Sequence, residues 1–147
     1  MKRILVVNGP NLNLLGSREP DVYGRTTLAG IEAMIQRRAE ELGCDVTCFQ
    51  SNSEGAILDF LQREAPNASG MVINPGALTH YSWSLRDALE CFEGVKIEVH
   101  LSNPSARERF RRTSTIAGVV DGTIAGLGQL GYELAVLAVG QIIAARD

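Results

Sequence analysis

Five short apolar runs, separated by stretches of helical period, constrain this chain more than anything else in it. The strand-like runs lie near Arg3–Asn8, Asp45–Gln50, Gly70–Asn74, Lys96–His100 and roughly Val119–Ala125. Between the first two, Leu28, Ile31, Ile35 and Leu42 recur at helical spacing until Gly43, a residue type that ends helices. Ser53 is placed to cap a second helix carrying Ile57, Phe60 and Leu61, which Pro66 closes. A third runs from about Ser82 to Cys91, and the last from about Gln129 to Ala145. Strands alternating with helices imply right-handed crossovers and a parallel sheet covered on both faces. The expectation is one α/β domain over residues 1–147, a three-layer sandwich around a parallel five-stranded sheet.

That sandwich is flavodoxin-like in kind, and 147 residues suffice to bury its core. The net charge of -3 argues against nucleic acid as a partner. The apolar run after "MKR" is too short for a secretory leader, and no window reaches the roughly twenty apolar residues of a spanning helix. Cys44, Cys48 and Cys91 form no CxxC pair and read as free thiols of a reduced, cytoplasmic protein. Lysine occurs only at Lys2 and Lys96, both away from the carboxyl ends of the strands. Imine chemistry is therefore not expected, and cationic work falls to arginine, which binds carboxylates bidentately. The last helix, "LGYELAVLAVGQIIAA", is apolar nearly all round, which fits burial against a second subunit or wholly within the chain.

Ligands of open parallel sheets bind beyond the carboxyl ends of the strands. Those ends carry "NGPN", "FQSNSEG", "NPGALTH" and "EVHLSNPSARERFRR", a lining of neutral donors and fixed cations suited to a small, anionic, oxygen-rich molecule. "GLGQLG" at Gly126–Gly131 matches a dinucleotide fingerprint, but no later strand or ribose-binding acid follows, and close helix packing explains it. In "RERFRR", helical spacing puts Arg107 and Arg111 on one face, with Arg109 and Arg112 pointing elsewhere. His80, His100, Glu98 and Asp87 supply no HxxxH or HxH pairing, so a metal site is not expected.

Two features stand out chemically. Glu98 and His100 are two apart on a strand and project from the same face, so the carboxylate can orient the imidazole as a general acid or simply pair with it structurally. The other is the long detour after Asn8, "GPNLNLLGSREPDVYGRTT", where a few linking residues would be ordinary. It carries Arg18 and Tyr23, as a surface anchor or as a closing lid with its own base. Bringing a phenol from about 10 to between about 7 and 8 needs roughly 3–4 kcal/mol of preferential phenolate stabilisation. Arg18, with Arg107 or Arg111 across a closed cleft, is placed to supply it.

"NGPNLNLLGSREPDVYG", "NPGALTHYSWSLRDAL", "IEVHLSN" and "ARERFRR" together resemble the type II 3-dehydroquinate dehydratases, in one order over almost the whole chain. The resemblance implies a flavodoxin-like fold, a dodecamer built from trimers, and a reaction without metal or organic cofactor. That reaction dehydrates 3-dehydroquinate to 3-dehydroshikimate, in the shikimate route or in quinate breakdown. By matching position, Tyr23 would be the base that takes the C2 proton to give an enolate. His100 would protonate the departing C1 hydroxyl, with Glu98 holding its ring. Arg18 would close the lid and hold Tyr23 as phenolate. Asn11 and Asn74 would position the water and polar groups that stabilise enolate charge. His80 and Arg111 would read the ring hydroxyls, with Asp87 contributed from an adjacent subunit. The substrate carboxylate would meet the backbone amides of Leu101 and Ser102.

Two segments depart from the family's pattern. After "FRR" the family commonly has a stretch like "HSYLSPVA", whereas this chain reads "TSTIAGVVDG". Tyr81, Trp83 and Ser84 replace smaller, less aromatic residues. Both changes bear on subunit contacts and leave the acid, base and lid arginine in place. The competing readings are a non-catalytic anion-binding paralogue on the same fold and a metal-assisted hydrolase.

Overall fold

The computed structural model describes residues 1–17, 19–23 and 25–147, with the backbone alone for Tyr23. Five parallel strands form one sheet: β1 (Lys2–Asn8), β2 (Cys44–Gln50), β3 (Gly70–Asn74), β4 (Val95–His100) and β5 (Gly122–Ala125). Their spatial order is β2-β1-β3-β4-β5, so the winding reverses between β1 and β3 and opens a crevice beyond their carboxyl ends. The register aligns Asn8 with Gln50 on one side and with Asn74 on the other, giving a row of three amides at that crevice.

Alternation along the strands sorts the core into two layers. Ile4, Val6, Val72, Ile97 and Val99 face helices α2 (Leu28–Glu41) and α5 (Leu130–Arg146). Leu5, Val7, Met71 and Ile73 face α3 (Glu54–Glu64) and α4 (Trp83–Glu90). Each Ile or Leu fully buried this way contributes about 1.5–3 kcal/mol relative to exposure. The helix ends follow the local chemistry. The Ser53 and Ser82 hydroxyls accept the N–H groups of Ala56 at 3.2 Å and Leu85 at 3.1 Å, and Gly43 leaves α2 at a φ of +73°. Among the described residues, the detour after β1 holds a 3-10 turn, Leu12–Leu14, and a short helix, α1 (Pro20–Tyr23).

Two elements differ from the sequence reading, and the packing of the last helix, left open there, is answered in part. The last strand starts at Gly122, because Val119 and Val120 turn their N–H groups back to the Ile116 carbonyl and pack on the α3–α4 layer. Asp121 makes the joint: it accepts the Lys96 N–H at 2.8 Å and returns its own N–H to the Lys96 carbonyl. The arginine-rich segment is not an α-helix but two 3-10 turns, Pro104–Ala106 and Arg109–Arg112, with Arg107 extended between them. Finally, α5 buries Tyr132, Ala135, Val136, Val139 and Ile143 on its own sheet, while Leu130 and Leu134 stay partly open. Intrachain packing thus accounts for one face of that helix.

Both lysines have structural partners. Lys96 is buried, with its ammonium donating to the Leu89 and Phe92 carbonyls where α4 ends. Lys2 pairs with Asp147 at 3.1 Å. No helix among the described residues is long and apolar enough to cross a membrane.

Candidate active site

Three loops leave the carboxyl ends of β1, β3 and β4 and enclose a cleft of about 250 Å³. The first two interlock. A Cβ at Gly9 would lie 2.2 Å from the Pro75 carbonyl oxygen, so only glycine lets the loops pass this closely. Gly76, at a φ of +61°, approaches the Pro10 carbonyl in return. The Gly9 N–H bonds the Asn74 carbonyl at 2.8 Å and completes the seam. Just beyond it, Asn11 stands at a φ of +71°, a left-handed conformation that asparagine tolerates better than most residues. Its N–H is held by the Asn52 side chain at 2.9 Å.

The β4 end supplies the charged wall. Glu98 is fully buried, and its Oε2 lies 2.6 Å from His100 Nε2. Thr79 donates to the same oxygen at 2.5 Å, and Ser114 donates to Oε1 at 2.9 Å. Burial alone pushes the Glu98 carboxyl up, but the hydrogen bonds from His100, Thr79 and Ser114 and the imidazolium charge outweigh it and hold the group below its usual range. A carboxylate can only accept here, so Nε2 carries a proton and Nδ1 is the ring nitrogen left over. His80 is fixed in the opposite sense: its Nδ1 lies 2.7 Å from the Thr113 carbonyl, which can only accept, and its ring meets Phe110 edge-on.

Asn11, Asn74, His80, His100, Leu101, Ser102 and Arg111, all expected at the site, line this one cleft. Glu98 stands behind it. Asp87 does not line it; it is exposed on α4. Arg18 and the Tyr23 side chain, on which the lid reading rests, lie outside the described residues. Arg107 also lines the cleft and donates to Ser102 Oγ at 3.2 Å, so the two arginines expected to share a face do converge, although no helix aligns them. Arg111 stacks on Phe110 and pairs with Glu108.

Sequence reasoning missed the two hydroxyls that grip Glu98. Thr79 precedes a flagged histidine in a tight 3-10 turn, where neighbours point apart. Ser114 sits in the very segment that departs from the family's pattern, and nothing in its spacing signals a buried partner. The glycine-rich "GLGQLG" is also resolved: the Gly126 and Gly128 N–H groups go to the His100 and Leu101 carbonyls, bracing the β4 end. At Gly131 an added Cβ would lie 3.5 Å from Val99 and Ile124, an ordinary contact, so the expected close packing does not depend on glycine there. Among the described residues no group of three or more His, Cys, Asp and Glu side chains is placed to hold a metal ion. A clamped imidazole opposite amides and two guanidiniums can exchange a proton with a small anionic ligand while holding its charge.

Known proteins resemble this chain in both sequence and fold. The family described as dehydroquinase class II matches residues 2–140. A 3-dehydroquinate dehydratase of Roseiflexus castenholzii is 58% identical over 134 residues, covering 91% of this chain and 85% of that one. One from Halalkalibacterium halodurans is 52% identical over 138 residues, covering 94% and 95%. The crystal structure of type II dehydroquinase from Propionibacterium acnes superposes with a TM-score of 0.92 at 45% identity, covering 96% of this chain and 97% of that one. Sequence and fold agree, and the chain belongs to the class II dehydroquinases.

Proposed function

We propose that this chain is a hydro-lyase that converts 3-dehydroquinate to 3-dehydroshikimate by anti elimination through an enolate. Tyr23, as phenolate beside Arg18, takes the C2 proton. The electron pair left on C2 moves into the adjacent carbonyl and forms the enolate. As that charge returns, the C1 carbon–oxygen bond breaks and His100 protonates the leaving hydroxyl, so one water is released and nothing is oxidised or reduced. Asn11 and Asn74 stabilise enolate charge. His80 and Arg111 hold ring hydroxyls, and the Leu101 and Ser102 backbone receives the carboxylate.

The observation that carries this reading is the buried Glu98 carboxylate clamping His100 at the cleft wall. It keeps Nε2 protonated, so a second proton at Nδ1 makes the ring an acid. Given the phenol base that the family resemblance implies, the other tyrosines are poorly placed. The sequence holds three tyrosines. Tyr132 is fully buried, and Tyr81 is exposed and away from the cleft lining. Tyr23 is the phenol that remains.

Asp87 enters the site of a neighbouring copy, consistent with its exposure beside Trp83 and Tyr81, which are 66% and 61% exposed. The assembly is a dodecamer of trimers in the cytoplasm, serving the shikimate route or quinate breakdown. The test is the ultraviolet absorbance of the conjugated enone formed from 3-dehydroquinate. Thermal stabilisation by substrate without that signal would establish the non-catalytic anion-binding reading instead. Loss of turnover with chelator, or inactivation by borohydride plus substrate through Lys2 or Lys96, would overturn the mechanism.

A further inference from the structure

Behind the cleft, a hydrogen-bonded chain runs from Gly76 through Asn74 and Tyr132 to Asn8, and its direction is set at one end. The Gly76 N–H can only donate, and it donates to Asn74 Oδ1 at 3.1 Å. That fixes the Asn74 amide with Nδ2 toward Tyr132, whose oxygen accepts it at 2.9 Å. The phenol must then direct its own hydrogen elsewhere, and it donates to Asn8 Oδ1 at 2.5 Å. The backbone donor thus sets Asn74, and the phenol hydrogen, needing an acceptor, sets Asn8.

The arrangement is buried throughout. Asn8 and Tyr132 are fully buried, and Asn74 shows 3% of its surface, at the cleft. Burial lifts the Tyr132 phenol far above its ordinary range, against a smaller opposing effect of the Asn74 hydrogen bond, so it stays a neutral donor. Asn8 Nδ2 has no partner among the described residues, so the side chain is held for its carbonyl alone. Asn74 Oδ1 is taken by Gly76 and one Nδ2 hydrogen by Tyr132. What Asn74 retains for a ligand is its second N–H, a donor suited to developing negative charge.

We propose that Tyr132, on α5 and out of reach of any ligand, is a positioning residue: it anchors Asn74 Nδ2, in the orientation the Gly76 N–H selects, so that the second N–H stays fixed on the reacting substrate. The inference rests on the role given to Asn74 above. Without the phenol, the Gly76 N–H is the one contact left on the Asn74 amide, so Nδ2 loses its anchor and its second N–H is no longer fixed on the enolate.

The experiment is a double-mutant cycle on the full chain, read by enone absorbance. Tyr132→Phe lowers kcat by about tenfold or more with KM within about threefold, the pattern of misplaced transition-state stabilisation. In an Asn74→Ala background the same change alters kcat by less than about twofold, while lowering the melting temperature in both backgrounds. Asn8→Ala, which keeps the phenol but removes its acceptor, gives the same pattern at smaller size and serves if Tyr132→Phe does not fold. A folded Tyr132→Phe or Asn8→Ala with wild-type kcat overturns the proposal. So do equal losses in both backgrounds, or an Asn74→Ala variant at wild-type kcat. The Asn74 side-chain amide proton resonances, assigned by their loss in Asn74→Ala, shift in Tyr132→Phe irrespective of turnover. That shift with an inactive wild type sinks the proposed function alone. A turning-over wild type with neither shift nor kcat loss sinks this inference alone.

Discussion

The two ends of the sheet handle charge differently. At the amino end, Arg3, Lys96 and Asp121 are tied into the scaffold. Arg3 pairs with Glu64 at 2.7 Å, Lys96 caps the carbonyls where α4 ends, and Asp121 brackets the start of β4. At the carboxyl end, Glu98 is held just as firmly, but its holding points a second group, His100, into open space. Charge that is fully coordinated does structural work. Charge coordinated on one side and exposed through an intermediary does chemistry. The difference lies in where the last partner faces, not in residue type or burial.

Variants at the two ends should therefore separate cleanly in what they change. The largest effect is expected of Tyr23→Phe and His100→Ala, each lowering kcat by about 10²–10⁴-fold with the melting curve nearly unmoved. Glu98→Gln comes next, at about tenfold or more in kcat, because an amide N–H facing Nε2 forces the other imidazole tautomer. Rate loss in Glu98→Gln with no change in its pH profile would break the contrast by reducing Glu98 to a space filler. At the amino end, Lys96→Met should cost about 1–3 kcal/mol of stability through two unpaired carbonyls. It should leave kcat alone, and a rate defect there would break the contrast from the other side. The smallest effect belongs to Glu64→Gln, a slight loss of stability by denaturant titration, since its pair with Arg3 is partly open to solvent.

A pH titration sharpens the comparison. Glu98 is held below its usual range in the folded protein, so the unfolded chain binds its proton first as pH falls. Its contribution is complete above the ordinary carboxyl range and is lost as pH drops through the lower folded value. Ser114→Ala removes a donor to the carboxylate, raises that folded value and moves the acid limb of the stability curve upward. Wild-type acid stability in Ser114→Ala would show that the Ser114 hydroxyl is not part of the clamp.

Much of this was legible beforehand, for reasons that differ by element. Strand–helix alternation is written in hydrophobic periodicity, and Gly43, Ser53 and Ser82 mark helix ends through local chemistry. The Glu98–His100 pair was legible because a strand's period is two. Val119–Val120 misled because hydropathy reports burial, and a turn packed on α3 and α4 is as buried as a strand. Arg107 and Arg111 met for a reason other than the one given: two 3-10 turns, not a helix, bring them to one wall. Ser114 and the Tyr132–Asn8 contact were beyond reach, since each links residues far apart through a geometry that no local pattern encodes.

The seam where Gly9 and Pro10 cross Pro75 and Gly76 has an engineering consequence. It staples the root of the long detour to the neighbouring strand, and Leu12 and Leu15 bury in the core immediately afterwards. The chain is fastened again where the Thr27 hydroxyl caps α2. An exchangeable cassette therefore spans residues 16–26. Replacing it with the corresponding stretch of a relative would exchange the proposed base and its arginine while leaving the His100 wall unaltered, so the two proposed halves of the reaction could be tuned separately.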